Sequence, residues 1–96
     1  MPMGMTYVSV ELTGSIRSEV LDLLVDSGSL YTWAPRAVLE RLGVTPVRRR
    51  TFRTIEGRDI SREVGEAFME ISGEKGTRIV VFAEGGDANV LGADTL

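Results

Sequence analysis

A chain of 96 residues with a net charge of −3 contains neither cysteine nor histidine. Disulfides, zinc sites built on thiolate or imidazole, cysteine nucleophiles, Ser-His-Asp triads and Cys-His pairs are excluded, and the available chemistry is carboxylate, hydroxyl, ten arginines and one lysine. One small domain is expected over residues 1–96, and because folding at this size buries only about 60–65% of the unfolded surface, oligomerisation is the expected supplement to its core.

In chain order, Tyr7 to Leu12 is rich in β-branched and aromatic residues and ends at Thr13-Gly14-Ser15, which predicts a strand entering a tight turn. Ile16 to Val25 begins with mixed polarity and finishes in a near-continuous apolar run, the pattern of a strand that becomes buried on both faces as it approaches Asp26. A short extended piece, Leu30 to Ala34, follows the Asp26-Ser27-Gly28-Ser29 corner. Pro35 in a first helical turn, Val38, Leu39 and Leu42 at helical spacing and Gly43 just beyond them predict a short packing helix.

Val47–Ile55 and Asp59–Ile71 predict two strands of a long, polar hairpin joined at Glu56-Gly57-Arg58 and projecting from the body. Ser72 to Gly76 reads as a turn, with Lys75 a solvated tip rather than a buried catalytic amine. Thr77 to Ala83 is a second strongly buried strand, and the Gly85-Gly86-Asp87 loop leads into Asn89-Val90-Leu91-Gly92. About seven strands, one helix and closely spaced turns point to a small all-β barrel or sandwich.

A carboxylate at the end of a buried strand needs hydrogen-bond donors or a change of protonation state. Around Asp26 the hydroxyls of Ser27 and Ser29 and the free space beside Gly28 can serve it. Taken alone, Asp26-Ser27-Gly28 also fits an Asx-type turn in which Gly28 supplies a positive φ.

With its flanks included, the chain resembles the retropepsin-like aspartic proteases, the family of the retroviral proteases and their cellular relatives. Leu23-Leu24-Val25-Asp26-Ser27-Gly28-Ser29 fits the family's hydrophobic-Asp-[Ser/Thr]-Gly-[Ala/Ser] signature. Val90-Leu91-Gly92 fits the hydrophobic-hydrophobic-Gly motif that packs beside the catalytic loop, and the hairpin between the two motifs lies where the family keeps its substrate-covering flap. The helix segment is similar to one that bacterial and archaeal members carry soon after the catalytic loop. The resemblance covers roughly residues 6 to 96 and implies a small closed barrel that works as a homodimer. Asp26 of each chain would meet at a two-fold axis; two like charges so close cannot both ionise cheaply, so the pair would share a proton and supply acid and base from identical residues. It further implies that Ser27 braces the loops across the dimer and Gly28 permits their close approach. An extended peptide would lie between dyad and flap, with Ser29, Thr54, Ile55, Glu56, Gly57 and Arg58 as candidate contacts. The expected activity is aspartic endopeptidase; the alternative, prompted by small size and an abrupt C-terminus, is a non-catalytic dimerisation or peptide-binding module on the same fold. Relatives commonly continue past the second glycine motif into a helix and a final interface strand, so either the native chain continues past Leu96 or the dimer relies on the N-terminal strand and flap tips.

The remaining features read as structural. Arg48-Arg49-Arg50 with Arg53 could form a phosphate-binding patch, but strand neighbours alternate faces and Glu56, Glu63 and Glu66 are at hand to pair across the hairpin, so no nucleic-acid partner is expected. Tyr31 and Trp33 share a face if extended, in the core or a dimer interface ahead of a substrate pocket. Asp22 and Asp26 share a strand face but stand roughly 13 Å apart, too far to share a proton. Asp59, Asp87 and Asp94 sit in or near turns without EF-hand spacing, so neither metal nor cofactor is expected. The N-terminus lacks the basic and apolar regions of a signal peptide and no apolar run nears the roughly 20 residues that span a bilayer, so a cytoplasmic protein without membrane contact is expected.

Overall fold

The computed structural model describes residues 5–54 and 56–93; Ile55 of the predicted hairpin tip and Asp94 lie outside the described residues. The elements run β1 (Tyr7–Thr13), β2 (Ser18–Val25), β3 (Thr32–Pro35), α1 (Arg36–Leu42), β4 (Arg48–Arg53), β5 (Asp59–Ile71), β6 (Glu74–Ala83) and β7 (Val90–Leu91).

Among the described residues the strands form a single sheet in the order β1-β2-β7-β3-β6-β5-β4, and β1 also pairs with β5, which closes the first six into a ring. Closure rests on β5, the longest strand. Val64 to Ile71 pair antiparallel with β6 on one edge, while Phe68 to Glu70 pair with Thr13 to Glu11 of β1 on the other. Further up that second edge β4 pairs with Asp59 to Val64. Asp59 to Glu63 have no β6 partner, so the β4–β5 hairpin stands out from the ring.

Alternation fills the interior. Val10 and Leu12 of β1 are fully buried while Glu11 between them is exposed; Ala67 and Met69 of β5 and Val80 and Phe82 of β6 enter the same core. The helix adds Leu39 and Leu42. At seven residues, with no side-chain N-cap bond and no acid in its first turn, α1 depends on that burial for its stability. No helix among the described residues is long and apolar enough to cross a membrane.

Three local expectations are corrected. Pro35 is the residue before the helix rather than within it: at φ −58° and ψ 135° it is still extended and ends β3. The β5–β6 turn is only Ser72-Gly73, both at positive φ, so Glu74, Lys75 and Gly76 belong to β6 and exposed Lys75 lies opposite Glu70. In β2 only Leu23 is buried near the end of the strand, with Leu24 and Val25 half-buried, so burial on both faces is incomplete in the single chain.

Candidate active site

β2 and β7 run parallel, with Leu24 beside Val90 and Val25 beside Leu91. The ladder extends one step beyond β2, where the Asp26 N–H donates to the Leu91 carbonyl (3.1 Å). The chain then turns sharply. The Asp26 carbonyl accepts the Ser29 N–H (3.1 Å) and Asp26 Oδ1 accepts the Gly28 N–H (3.0 Å), so the aspartate does form an Asx-type turn. Gly28, however, is not at positive φ. A Cβ there would stand 3.3 Å from Asp26 Oδ1, the oxygen its own N–H binds, so what Gly28 provides is access to the carboxylate.

The corner is clamped from below. Ser29 Oγ donates to the Tyr31 carbonyl (2.8 Å), the Ser29 carbonyl accepts the Ala93 N–H (2.7 Å), and the Gly92 N–H donates to Oγ1 of fully buried Thr32 (3.0 Å). Residues 30 and 31 cross directly over Gly92, where a Cβ would run into the Tyr31 carbonyl. Val90, Leu91 and Gly92 are all buried, and a strand of two residues thus fixes the corner on its other side.

Asp26, Ser27 and Gly28 are themselves exposed. Apart from the Gly28 N–H, the Asp26 carboxylate has no partner among the described residues, and the Ser27 hydroxyl makes no hydrogen bond there. Beside them opens a groove of about 660 Å³. Asp26, Gly28, Ser29, Leu30, Tyr31 and Trp33 form one side of it, Arg50 to Thr54 and Ile60 of the hairpin a second, and Gly86, Asp87, Ala88 and Val90 a third. Ser29 and Thr54 of the predicted contacts therefore line it. Glu56, Gly57 and Arg58 do not: they form the exposed tip, where Thr54 and Arg58 close the loop through Thr54 N–H to the Arg58 carbonyl (2.7 Å) and Arg58 N–H to Thr54 Oγ1 (3.1 Å).

Tyr31 and Trp33 are half-buried in this groove, because the residues alternating with them, Thr32 and Ala34, occupy the interior. Phe52 of β4 meets both, edge-on to Tyr31 at 6.2 Å between ring centroids and tilted against Trp33 at 5.0 Å. Arg50 lies over the Tyr31 ring, 5.3 Å from its centroid. Neither Phe52 nor Arg50 is evident from sequence as a site residue. Counting alternate positions back from Thr54 along the hairpin places Phe52 and Arg50 on its face, which is the signal that finds them.

A set of ion pairs begins at the third side of the groove. Asp87 takes the guanidinium of Arg62 on both oxygens, Nε to Oδ2 at 2.7 Å and the Arg62 Nη2 to Oδ1 at 3.0 Å, and also accepts the Glu84 N–H (2.8 Å). The Arg62 hydrogen bonds, followed by the Glu84 N–H, hold the Asp87 carboxyl below its ordinary range. Arg36 of α1 binds Glu63 (2.6 Å) and Glu84 (2.8 Å) and lies over Phe82, and its hydrogen bond to Glu84 draws that carboxyl down in turn. Glu63 is thus committed to the helix and does not serve the arginine strand; Arg53 pairs instead with Asp59 (3.2 Å), and Arg49 donates to Ser61 Oγ (3.2 Å).

A closed β ring, an exposed aspartate on a Ser-Gly corner, a glycine-crossed clamp beneath it and a projecting hairpin along the groove together define the retropepsin-like class of aspartic protease. The sequence matches the aspartyl protease family over residues 8–95, and the chain belongs to that family, whose members are aspartic endopeptidases. None of the curated proteins matches it. Among solved structures, the solution structure of simian foamy virus (mac) protease is similar in fold, at 23% identity over 94% of this chain and 90% of that one, with a TM-score of 0.66.

Proposed function

We propose that the chain hydrolyses peptide bonds as a homodimer in which Asp26 of each protomer forms one dyad. The observation that carries this reading is the state of Asp26: held in place by backbone on both sides, it keeps a solvent-exposed carboxylate without a cation among the described residues, at the side of a groove. One carboxylate per chain is too few for the reaction. An ionised acid is needed to take a proton from water and a protonated one to assist the carbonyl oxygen, and two-fold symmetry supplies both from one residue sharing one proton.

The Ser27 hydroxyl, unbonded among the described residues, is available to brace the opposing loop, and the space at Gly28 admits that loop closely. The β4–β5 hairpin serves as the flap. An extended peptide lies under it, held through backbone hydrogen bonds of the β type, with Ser29 and Thr54 in the groove and Glu56, Gly57 and Arg58 at the tip as its contacts, and with Ile55 as a further candidate from the sequence. Val90, Leu91 and Gly92 support the corner from beneath.

The test combines sedimentation with cleavage of an unfolded protein from mildly acidic to neutral pH, for the wild type and Asp26→Asn. A dimer that cleaves, and loses cleavage with the substitution, is the expected result. Equal activity in the two proteins, or none in a confirmed wild-type dimer, would overturn the proposal.

A further inference from the structure

Two arginines border the groove, and they differ. Arg53 is engaged by Asp59 at 3.2 Å. Arg50, half-buried, rests its guanidinium on the Tyr31 ring and has neither a carboxylate partner nor a hydrogen bond among the described residues. The acids of the groove do not answer it: Asp87 is bound on both oxygens by Arg62, and Asp26 is reserved by the proposed chemistry. The contact with the Tyr31 ring takes up none of the guanidinium's N–H donors in a hydrogen bond among the described residues, which leaves a planar fork of donors for a carboxylate.

Spacing gives the second part. Arg50 and Phe52 stand two positions apart on one face of β4, and Phe52 joins Tyr31 and Trp33 in a half-buried aromatic cluster. An extended peptide also turns every second side chain the same way, with the same repeat of roughly 6.6 Å. A peptide running along β4 therefore brings an apolar side chain to the cluster and the side chain two positions away to Arg50.

We infer that the groove selects peptides in which Asp or Glu stands two residues from an apolar or aromatic residue, and that Arg50 is the residue that reads the acid. The inference rests on the reading of this groove as the substrate cleft. It adds a requirement that cleavage alone does not carry, a charge on the substrate.

Trp33 is the single tryptophan and lies in the groove, so its fluorescence reports occupancy directly. Titrate the Asp26→Asn protein, which leaves peptides intact, with peptides built on a central Phe and carrying Glu two residues to one side or the other, and with their Gln twins. The Glu peptide on one side is expected to bind about tenfold more tightly than its twin at low salt, the size of a hydrogen-bonded charge pair. Arg50→Gln should level the two, and Arg50→Glu should turn the preference to a Lys twin. Arg48→Glu, exposed on the same strand and outside the groove, should keep the Glu preference and show that net charge is not the cause. Equal binding of Glu and Gln peptides, or a preference that survives Arg50→Glu, overturns the inference. Wild-type cleavage of the same peptides separates it from the reading beneath. A protein that cuts both twins alike sinks the charge requirement and leaves the endopeptidase standing, whereas selective binding without any cleavage by the dimer does the reverse.

Discussion

Asp26 and Asp87 line the same groove and have opposite fates. Asp87 is nearly enclosed, its side chain 13% exposed, and both its oxygens are held by Arg62 on the hairpin strand β5. Asp26 is exposed and receives one backbone N–H on its carboxylate. A carboxylate committed to a guanidinium is held in its charged form, as the Arg62 hydrogen bonds hold Asp87. Asp87 ties the hairpin base to the loop that forms one side of the groove, and Asp26 is the groove acid without an ion-pair partner among the described residues.

The comparison breaks hardest at Asp26. Asp26→Asn would remove both carboxylates of the proposed dyad, and peptide hydrolysis should fall at least about a thousandfold, as expected when an acid–base group is lost. The fold should hardly change, because an asparagine side-chain oxygen can still accept the Gly28 N–H. Initial rates on a cleaved peptide together with thermal melts measure both halves of that expectation; a melt displaced as far as the activity would mean that Asp26 is structural after all.

Next in size is the clamp beneath it. Gly92→Ala forces a methyl into the Tyr31 carbonyl, with backbone rather than a flexible side chain in the way, and should cost about 3 kcal/mol in urea unfolding. Activity should fall too, since the strand that must shift also carries the Leu91 carbonyl bonded to Asp26 N–H.

Asp87→Asn should cost about 2 kcal/mol by leaving Arg62, only 19% exposed, without its anion. The pH dependence follows in sign from the depressed Asp87 carboxyl. Its contribution is fully present above the unfolded value of about 3.9 and is lost as pH falls through the lower folded value. The stability gap between wild type and Asp87→Asn should therefore be constant from neutral pH down to mildly acidic pH and close below about pH 4. A gap that is unchanged at pH 3, followed by urea midpoints, would remove the ion pair as its cause.

How far the sequence anticipates this arrangement follows from the range of each interaction. The strands, the Pro35–Gly43 helix segment, the hairpin centred on Gly57 and the two short motifs are legible because each is written in local alternation or in a turn. The pairing of charges is not. Glu63 faces Arg49 across the hairpin yet binds Arg36, 27 residues away in sequence, because β6 pairs with both β3 and β5 and so sets the start of α1 beside the outer part of β5. Arg62 and Asp87, 25 residues apart, meet because the antiparallel β5–β6 pairing carries the loop after β6 back to the outer half of β5. The aromatic contacts of Phe52 also depend on how far the hairpin leans over the Asp26 corner, which no local pattern encodes. Gly28 misleads in the other direction: its turn residue type suggests a positive φ, whereas its backbone is ordinary and its lack of a side chain is what counts.

A third aspartate gives the smallest expected effect and the sharpest control. Asp22 precedes Asp26 by four residues, and the sequence places both on one face of the strand. The structure ends β2 at Val25, so Asp26 has left the strand, and Asp22 remains on its exposed face, accepting a hydrogen bond from Ser9 Oγ at 2.7 Å. That bond is cross-strand, exposed and open to water, and Asp22 does not border the groove. Asp22→Asn should change stability by less than about 0.5 kcal/mol and leave cleavage at wild-type level across the pH range, because an amide oxygen can still accept from Ser9. An altered pH profile in that variant would mean that its charge reaches the proposed dyad. An unaltered one would show that an acid in this chain acts in catalysis through its place at the corner and not through its charge alone.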